Sequence, residues 1–131
     1  MRRGIVGTLA VLLVLGIAAP TVAASKIKVR PNPVEQGERL KIKAKDCISG
    51  DGYEAFVEVE IVAKGTPNKA PPIFDATEPA DDDGTTLIKA KIRKAKYPPG
   101  TYIVYVWCIH EFDDGSEGIW YKAKKSVTVV A

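Results

Sequence analysis

Residues 98–109 read PPGTYIVYVWCI, and this stretch decides the fold class. Its first three residues are turn formers, whereas the nine that follow are almost all β-branched or aromatic. Such side chains pack well on a pleated sheet, so the stretch predicts a turn followed by a long strand. Because successive side chains of a strand point to opposite faces, one half of this run is expected in a core and the other half outside it.

Shorter runs with the same period of two lie on both sides of this strand. They cover residues 26–30, 39–45, 53–61, 88–93 and 127–130, with turn-forming residues between them. Residues 64–86 contain four prolines, which predicts a long, partly irregular connection with a short edge strand near Ile73 and Phe74. The pattern predicts an all-β fold, a two-sheet β-sandwich of about seven strands.

The first 24 residues have the pattern of a secretory signal peptide. Arg2 and Arg3 precede an uncharged, mostly apolar run at 5–19, and small residues follow before Ser25. Cleavage would leave residues 25–131 as a single domain without a membrane span. The alternative is an uncleaved membrane anchor, for which the apolar run is short. The expected location is secreted, either extracellular or associated with the cell wall.

The mature chain contains two cysteines, Cys47 and Cys108. An even number of cysteines in an exported chain predicts a disulfide, and two allow only one pairing. The alternative is a metal site, but His110 is the one histidine and no third sulfur exists, so the usual zinc ligands are incomplete. We therefore expect a disulfide, no metal and no cofactor.

Two segments carry a family resemblance. Residues 29–47 read VRPNPVEQGERLKIKAKDC, and residues 99–108 read PGTYIVYVWC. Together they resemble small secreted immunoglobulin-like domains of bacteria. The resemblance implies that the cysteines tie the end of the second strand to the sixth, and it implies no catalytic residue. Cys47 is out of phase with the alternation before it, so either a bulge redirects it or it lies just past the strand end.

Charge is segregated along the chain although the net charge is only +3. In an immunoglobulin-like sandwich the first, second and fifth strands share a sheet. The expected outward positions of that sheet are Lys28, Arg30, Arg39, Lys41, Lys43, Lys45, Lys89, Lys91 and Arg93. We regard Lys41, Lys43 and Lys89 as a candidate surface for an anionic polymer, such as wall phosphates or acidic glycans. The alternative is an ordinary solvated face whose lysines block edge pairing.

The other sheet is expected to expose apolar side chains. If Tyr102, Val104 and Val106 face the core, then Ile103, Tyr105 and Trp107 face outward, beside Phe56 of a neighbouring strand. Aromatic side chains surrounded by charge suit a contact with a protein or a sugar, so these four residues, Phe56, Ile103, Tyr105 and Trp107, are the first candidate binding surface. The alternatives are that a loop covers this face or that its aromatic residues only pack against each other.

Other motifs are less specific. The Asp81–Asp83 run could supply calcium ligands, but its spacing does not match an EF-hand and Asp-Gly is an ordinary turn signal. His110 has no nucleophile signature beside it and is interpreted as a surface histidine. Glycine-rich phosphate loops and nucleic-acid modules are absent, so we expect no nucleic-acid partner.

The sequence thus predicts a non-enzymatic secreted or cell-surface binding or adhesion domain. Its expected partner is a protein or a surface polymer of unknown identity. The alternatives are a carrier of a small hydrophobic ligand and a structural surface protein that associates with itself.

Overall fold

The structure is a computed structural model that describes residues 26–67 and 69–131. The signal peptide expected at 1–24 lies outside the described residues. Within those residues, no helix is long and apolar enough to span a membrane. The strands are β1 Ile27–Arg30, β2 Val34–Glu35, β3 Arg39–Ala44, β4 Tyr53–Ala63, β5 Phe74–Pro79, β6 Thr86–Lys91, β7 Gly100–Phe112 and β8 Glu117–Val130.

These strands form two sheets, which confirms the all-β prediction. The smaller sheet has the order β1-β3-β6 and is antiparallel throughout. The larger has the order β2-β8-β7-β4-β5, in which β2 runs parallel to β8 and the other pairs are antiparallel. The described residues contain one strand more than expected, because the chain changes sheets after the prolines at 31 and 33. The resulting β2 has two residues and is too short to show a period.

The core lies between the sheets and follows the period of two. In β3 every second residue is buried, and β7 buries its even-numbered residues from Tyr102 to His110. Each fully buried Val, Ile or Leu side chain contributes roughly 1.5–3 kcal/mol to folding. The largest fully buried side chains are Ile27, Leu40, Ile42, Ile61, Ile88, Ile92, Val34, Val57, Val59, Val104, Val106 and Val127.

The two sheets differ in strand length. Strands β4, β7 and β8 have 11, 13 and 14 residues, whereas the strands of the smaller sheet have 4 to 6. At about 3.3 Å per residue, the larger sheet must extend beyond the smaller one. Part of the inner face of the larger sheet therefore has no strand of the smaller sheet opposite it, and other side chains pack there.

The predicted disulfide joins Cys47 to Cys108 with a Cα–Cα distance of 5.7 Å. Cys47 lies past the end of β3, which confirms the second of the two explanations for its being out of phase with the alternation in that strand. Asp46 has a φ of 61°, which turns the chain and brings Cys47 into the core. The Lys26 ammonium lies 2.9 Å from the Asp46 carboxylate and lowers the pKa of that group. The disulfide thus connects the chain leaving the smaller sheet to the centre of the larger one.

The start of β7 is held by a tyrosine. The Tyr102 hydroxyl donates a hydrogen bond to the Pro98 carbonyl, four residues upstream, at 2.5 Å. Its ring packs against buried Tyr97 with 5.3 Å between ring centroids. Burial raises the pKa of both hydroxyls, that of Tyr97 to about 12. This contact fixes the turn from which the long strand begins.

Candidate binding surfaces

The outer side of the larger sheet carries the expected apolar surface, which we call the aromatic face. It consists of Phe56, Ile103, Tyr105, Trp107 and Ile109, all half-buried. Strands β4 and β7 are adjacent, and their register places Phe56 opposite Ile109. The orientation predicted from the alternation is therefore confirmed.

Tyr105 and Trp107 form the centre of the aromatic face. Their rings are stacked, with centroids 5.9 Å apart and an interplanar angle of 25°. Lys122 of β8 is opposite Trp107, and its Nζ lies 5.3 Å from the Trp107 centroid and 5.4 Å from that of Tyr105. A cation at this distance is attracted to the ring faces. The result is a nearly flat aromatic platform with an ammonium group at its edge.

A groove of about 240 Å³ lies over this platform. The loop after β4 contributes Thr66, Pro67 and Ala70 to its lining, and Glu60 also borders it. The loop borders the platform without burying it, because both rings stay half exposed. The loop after β4 thus covers this face only at its margin.

Carboxylates gather beside the groove. Oxygen atoms of Glu58, Glu60 and Asp75 all lie within 4.8 Å of one another. Burial raises the pKa of Glu58, and repulsion from Glu60, Asp75 and Glu117 raises it further. Calcium takes six or more oxygen ligands, so three carboxylates do not complete a calcium site. The cluster does make this edge of the groove acidic.

The Asp81–Asp83 run closes a turn. The Gly84 N–H donates to the Asp81 carbonyl at 2.9 Å, and the Thr85 N–H donates to the Asp83 carboxylate at 2.8 Å. Gly84 has a φ of 80°, which favours glycine at this position. The sequence is compatible with either a calcium-binding loop or a turn, and these contacts are those of a turn.

The outer side of the smaller sheet is strongly basic. We call the following seven exposed residues the basic face: Lys28, Arg30, Arg39, Lys41, Lys43, Lys89 and Lys91. Lys41 lies in register between Arg30 and Lys89. Among the described residues the one ion pair is Lys26–Asp46, which lies outside this face. Lys45, also expected outside, is half-buried, and its carbonyl accepts a hydrogen bond from the Tyr121 hydroxyl.

A third cluster was not expected from the sequence. Tyr53, His110 and Trp120 form what we call the aromatic stack. His110 lies 4.2 Å from Tyr53 and 5.2 Å from Trp120, centroid to centroid, with interplanar angles of 25° and 17°. The prediction of a surface histidine is therefore wrong: His110 is 9% exposed and faces the core side of β7. A register shift between Cys108 and Ile109 explains the stack, because it leaves Trp120 as an extra residue in β8.

The aromatic stack has an unusual polar atom and an exposed margin. The Nε2 atom of His110 is buried and has no hydrogen-bond partner among the described residues. Burial lowers the pKa of His110, which favours the neutral ring. Trp120 is 64% exposed, and with Phe112 and Ile119 it borders a cavity of about 320 Å³. This combination lies where the larger sheet extends beyond the smaller one.

No protein-family model matches the chain, and no curated protein matches it. Several solved structures resemble it at 14% identity. Superoxide reductase (neelaredoxin) from Ignicoccus hospitalis aligns over 80% of this chain and 79% of its own, with a TM-score of 0.48. Macromomycin aligns over 79% and 97%, with a TM-score of 0.44. The PmoD soluble domain from Methylocystis sp. (Rockwell) aligns over 74% and 76%, with a TM-score of 0.40.

These similarities correct one expectation. The sequence predicted that the chain is not an enzyme, yet one of the similar structures is a superoxide reductase, which is an enzyme. The physical reason is that a fold does not fix a function, since a few side chains on the same scaffold can form a reactive site. At 14% identity the similarity assigns no reaction to this chain. What the chain shares with these proteins is the β-fold alone.

Proposed function

We propose that this chain is an exported binding domain of the immunoglobulin-like type, and that it holds its ligand on the aromatic face. The strand order supports the architecture, because the first strand pairs with β3 and β3 with β6, while β4, β7 and β8 lie in the other sheet. The Tyr102 bond to Pro98 resembles the tyrosine corner of such domains, although Val106 occupies the usual position two residues before Cys108. The disulfide and the signal-peptide pattern support export.

The stacked pair of Tyr105 and Trp107 is the observation that carries the proposal. A contiguous exposed apolar patch rimmed by polar residues is typical of an interaction site, unlike apolar residues exposed singly. The platform is flat and apolar, whereas its margin offers the Glu60 carboxylate and the Lys122 ammonium. A sugar ring has the matching character, since its C–H faces are apolar and its edge carries hydroxyl groups. We therefore propose a glycan of the cell surface as the ligand class.

The binding energy should be concentrated at Trp107. A buried aromatic anchor at the centre of an interface typically costs 2 kcal/mol or more when it is truncated to alanine. Trp107→Ala should therefore weaken binding by about 30-fold, since 1.4 kcal/mol corresponds to a factor of ten. The fold should survive, because the Trp107 side chain lies outside the core.

The test uses the oxidised 25–131 chain and isolated bacterial cell envelope, followed by defined oligosaccharides released from it. Trp120→Ala is the matched control, because Trp120 is the other tryptophan and belongs to a different surface. Retention of the wild type and the control, with loss for Trp107→Ala at an unchanged melting temperature, is the expected result. Equal retention of both variants would overturn the proposal.

A second candidate function rests on the aromatic stack. Its exposed margin and the unpartnered Nε2 of His110 favour a carrier of a planar hydrophobic ligand with one polar group. The same two variants separate the candidates. A co-purifying chromophore, or a fluorescent hydrophobic probe, that is lost from Trp120→Ala and kept by Trp107→Ala would support the carrier function. The reverse pattern would assign the ligand to the aromatic face.

A further inference from the structure

We propose that the basic face is a second docking surface, and that its partner is a linear polymer carrying phosphate groups. This adds a partner class to the proposed binding function without depending on the aromatic face, which belongs to the other sheet.

The cations form a two-dimensional lattice. Cross-strand pairs place Lys28 beside Lys43, Arg30 beside Lys41, and Lys41 beside Lys89. A further pair joins Arg39 and Lys91. Neighbouring strands lie about 4.8 Å apart, and alternate residues along a strand are separated by about 6.6 Å. Like charges directly opposite one another destabilise a sheet, so folding alone does not favour this arrangement.

Protection of sheet edges does not explain the lattice. Outward lysines on an edge strand prevent pairing with other chains, and this explains the cations of the edge strands β1 and β6. Strand β3 lies between them and has no open edge. It nevertheless carries Arg39, Lys41 and Lys43 on its exposed side. The central row of cations therefore needs another reason.

Solubility does not explain it either. A solvated surface usually mixes charges of both signs, which lowers repulsion between neighbours. The outer side of the smaller sheet has no acidic residue within its strands, and the apolar Leu87 lies there in register with Lys43. Paired acidic side chains occur on the other sheet, where Glu111 is between Glu54 and Glu117 in register. The larger sheet also exposes Lys122 beside the aromatic face, so its outer side is mixed, whereas the basic face has a single sign.

The surface also has a shape. Lys28, Arg30, Lys41 and Lys43, together with Pro31 and Leu87, line a shallow groove of about 400 Å³. A linear chain of anions can lie along such a groove and contact cations on both sides. Five of the seven cations are lysines, which act as point charges and do not form the paired hydrogen bonds of arginine. This composition suits a flexible polymer recognised by the density of its charge, which is higher in a chain of phosphates than in a chain of sugar carboxylates.

A second copy of the chain is the competing occupant, because the acidic side chains of its larger sheet have the complementary sign. The area argues against it. Three strands of at most six residues cover roughly 300 Å² per partner, well below the roughly 800 Å² per partner of a stable complex. A polymer does not need one large contact, since it engages many protein molecules and releases its bound counterions.

The experiment measures binding of the oxidised 25–131 chain to fluorescently labelled linear polyphosphate across a salt series. The test variant is Lys41→Gln, Lys43→Gln, Lys89→Gln. The control is Lys64→Gln, Lys69→Gln, Lys96→Gln, which removes the same charge from exposed lysines elsewhere. Loss of three contacts should reduce the slope of log K against log salt by about 2 and weaken binding roughly 100-fold at 0.1 M salt. The control should bind like the wild type.

Several results would overturn the proposal. They are no binding by the wild type, equal losses in both triple variants, or equal affinity for polygalacturonate, which carries carboxylates in place of phosphates. Sedimentation of the chain alone tests the second copy: association that grows with concentration and disappears in the test variant would assign the basic face to that copy. Trp107→Ala should bind polyphosphate normally, so failure of the glycan proposal and failure of this one are distinguishable.

Discussion

Removal of the disulfide is the perturbation whose size can be worked out most directly. Cys47 and Cys108 are 61 residues apart and both fully buried. In the chain-entropy model, closing a loop of this length lowers the entropy of the unfolded chain by about 14 cal/mol/K, which is about 4 kcal/mol at 25 °C. The double variant Cys47→Ala, Cys108→Ala should lose that much free energy of unfolding. Double replacement avoids a free thiol that could form other disulfides.

The corresponding change in melting temperature follows from the size of the domain. Unfolding entropy near 60 °C is about 2.1 cal/mol/K per residue, or about 0.22 kcal/mol/K for a domain of this length. A loss of 4 kcal/mol therefore lowers the melting temperature by about 18 °C. Thermal unfolding followed by circular dichroism measures it, with mass spectrometry to verify the oxidised wild type. If the melting temperature falls by less than 5 °C, the apolar core alone holds the sheets together and the reasoning is refuted.

Two further predictions concern His110 and Asp46. Burial lowers the pKa of His110, so on acidification the unfolded chain protonates this ring before the folded chain does. The free energy of unfolding should therefore be highest above pH 6.5 and decrease as the pH falls below that value. His110→Phe keeps a ring in the stack and should remove that decrease. Urea unfolding of the wild type and the variant at pH 7.5 and 5.5 measures it. An equal decrease in the wild type and the variant would show that His110 is not its cause. Because Asp46 has a φ of 61°, Asp46→Ala should be about 1 kcal/mol less stable than Asp46→Gly, although both lose the contact with Lys26. Equal stabilities in chemical unfolding would show that the backbone conformation at Asp46 carries no strain.

The parts of the fold that the sequence predicted are those with a local periodic cause. The alternation in 98–109 predicted both faces of β7, and the alternating lysines of β3 predicted an exposed basic side. Both patterns persist over several residues and depend on the two-residue period of any strand. The aromatic and basic faces could therefore be located before the structure was known.

The features that the sequence did not predict depend on single residues or on distant pairing. Strand β2 has two residues, too few for a period. The extra residue Trp120 arises from a shift in register with β7, and no local pattern marks it. The alternation in β7 extends to His110 and buries it, whereas the sequence interpretation treats it as a surface histidine because it is near the end of the strand. Cys47 enters the core through the conformation of Asp46, a property that alternation cannot show.

The two proposed surfaces belong to different sheets, and this determines what the domain could do with both. The aromatic face projects from the larger sheet and the basic face from the smaller, with the core between them. A ligand on one face therefore does not block the other, and binding at the two faces should be independent. Such a domain would connect a glycan on one side to a phosphate polymer on the other, as a link between surface polymers. An enclosed pocket between the sheets would not have this property, because a single ligand would occupy it. Independence of the two affinities is thus the thermodynamic signature that separates a bridging domain from a carrier.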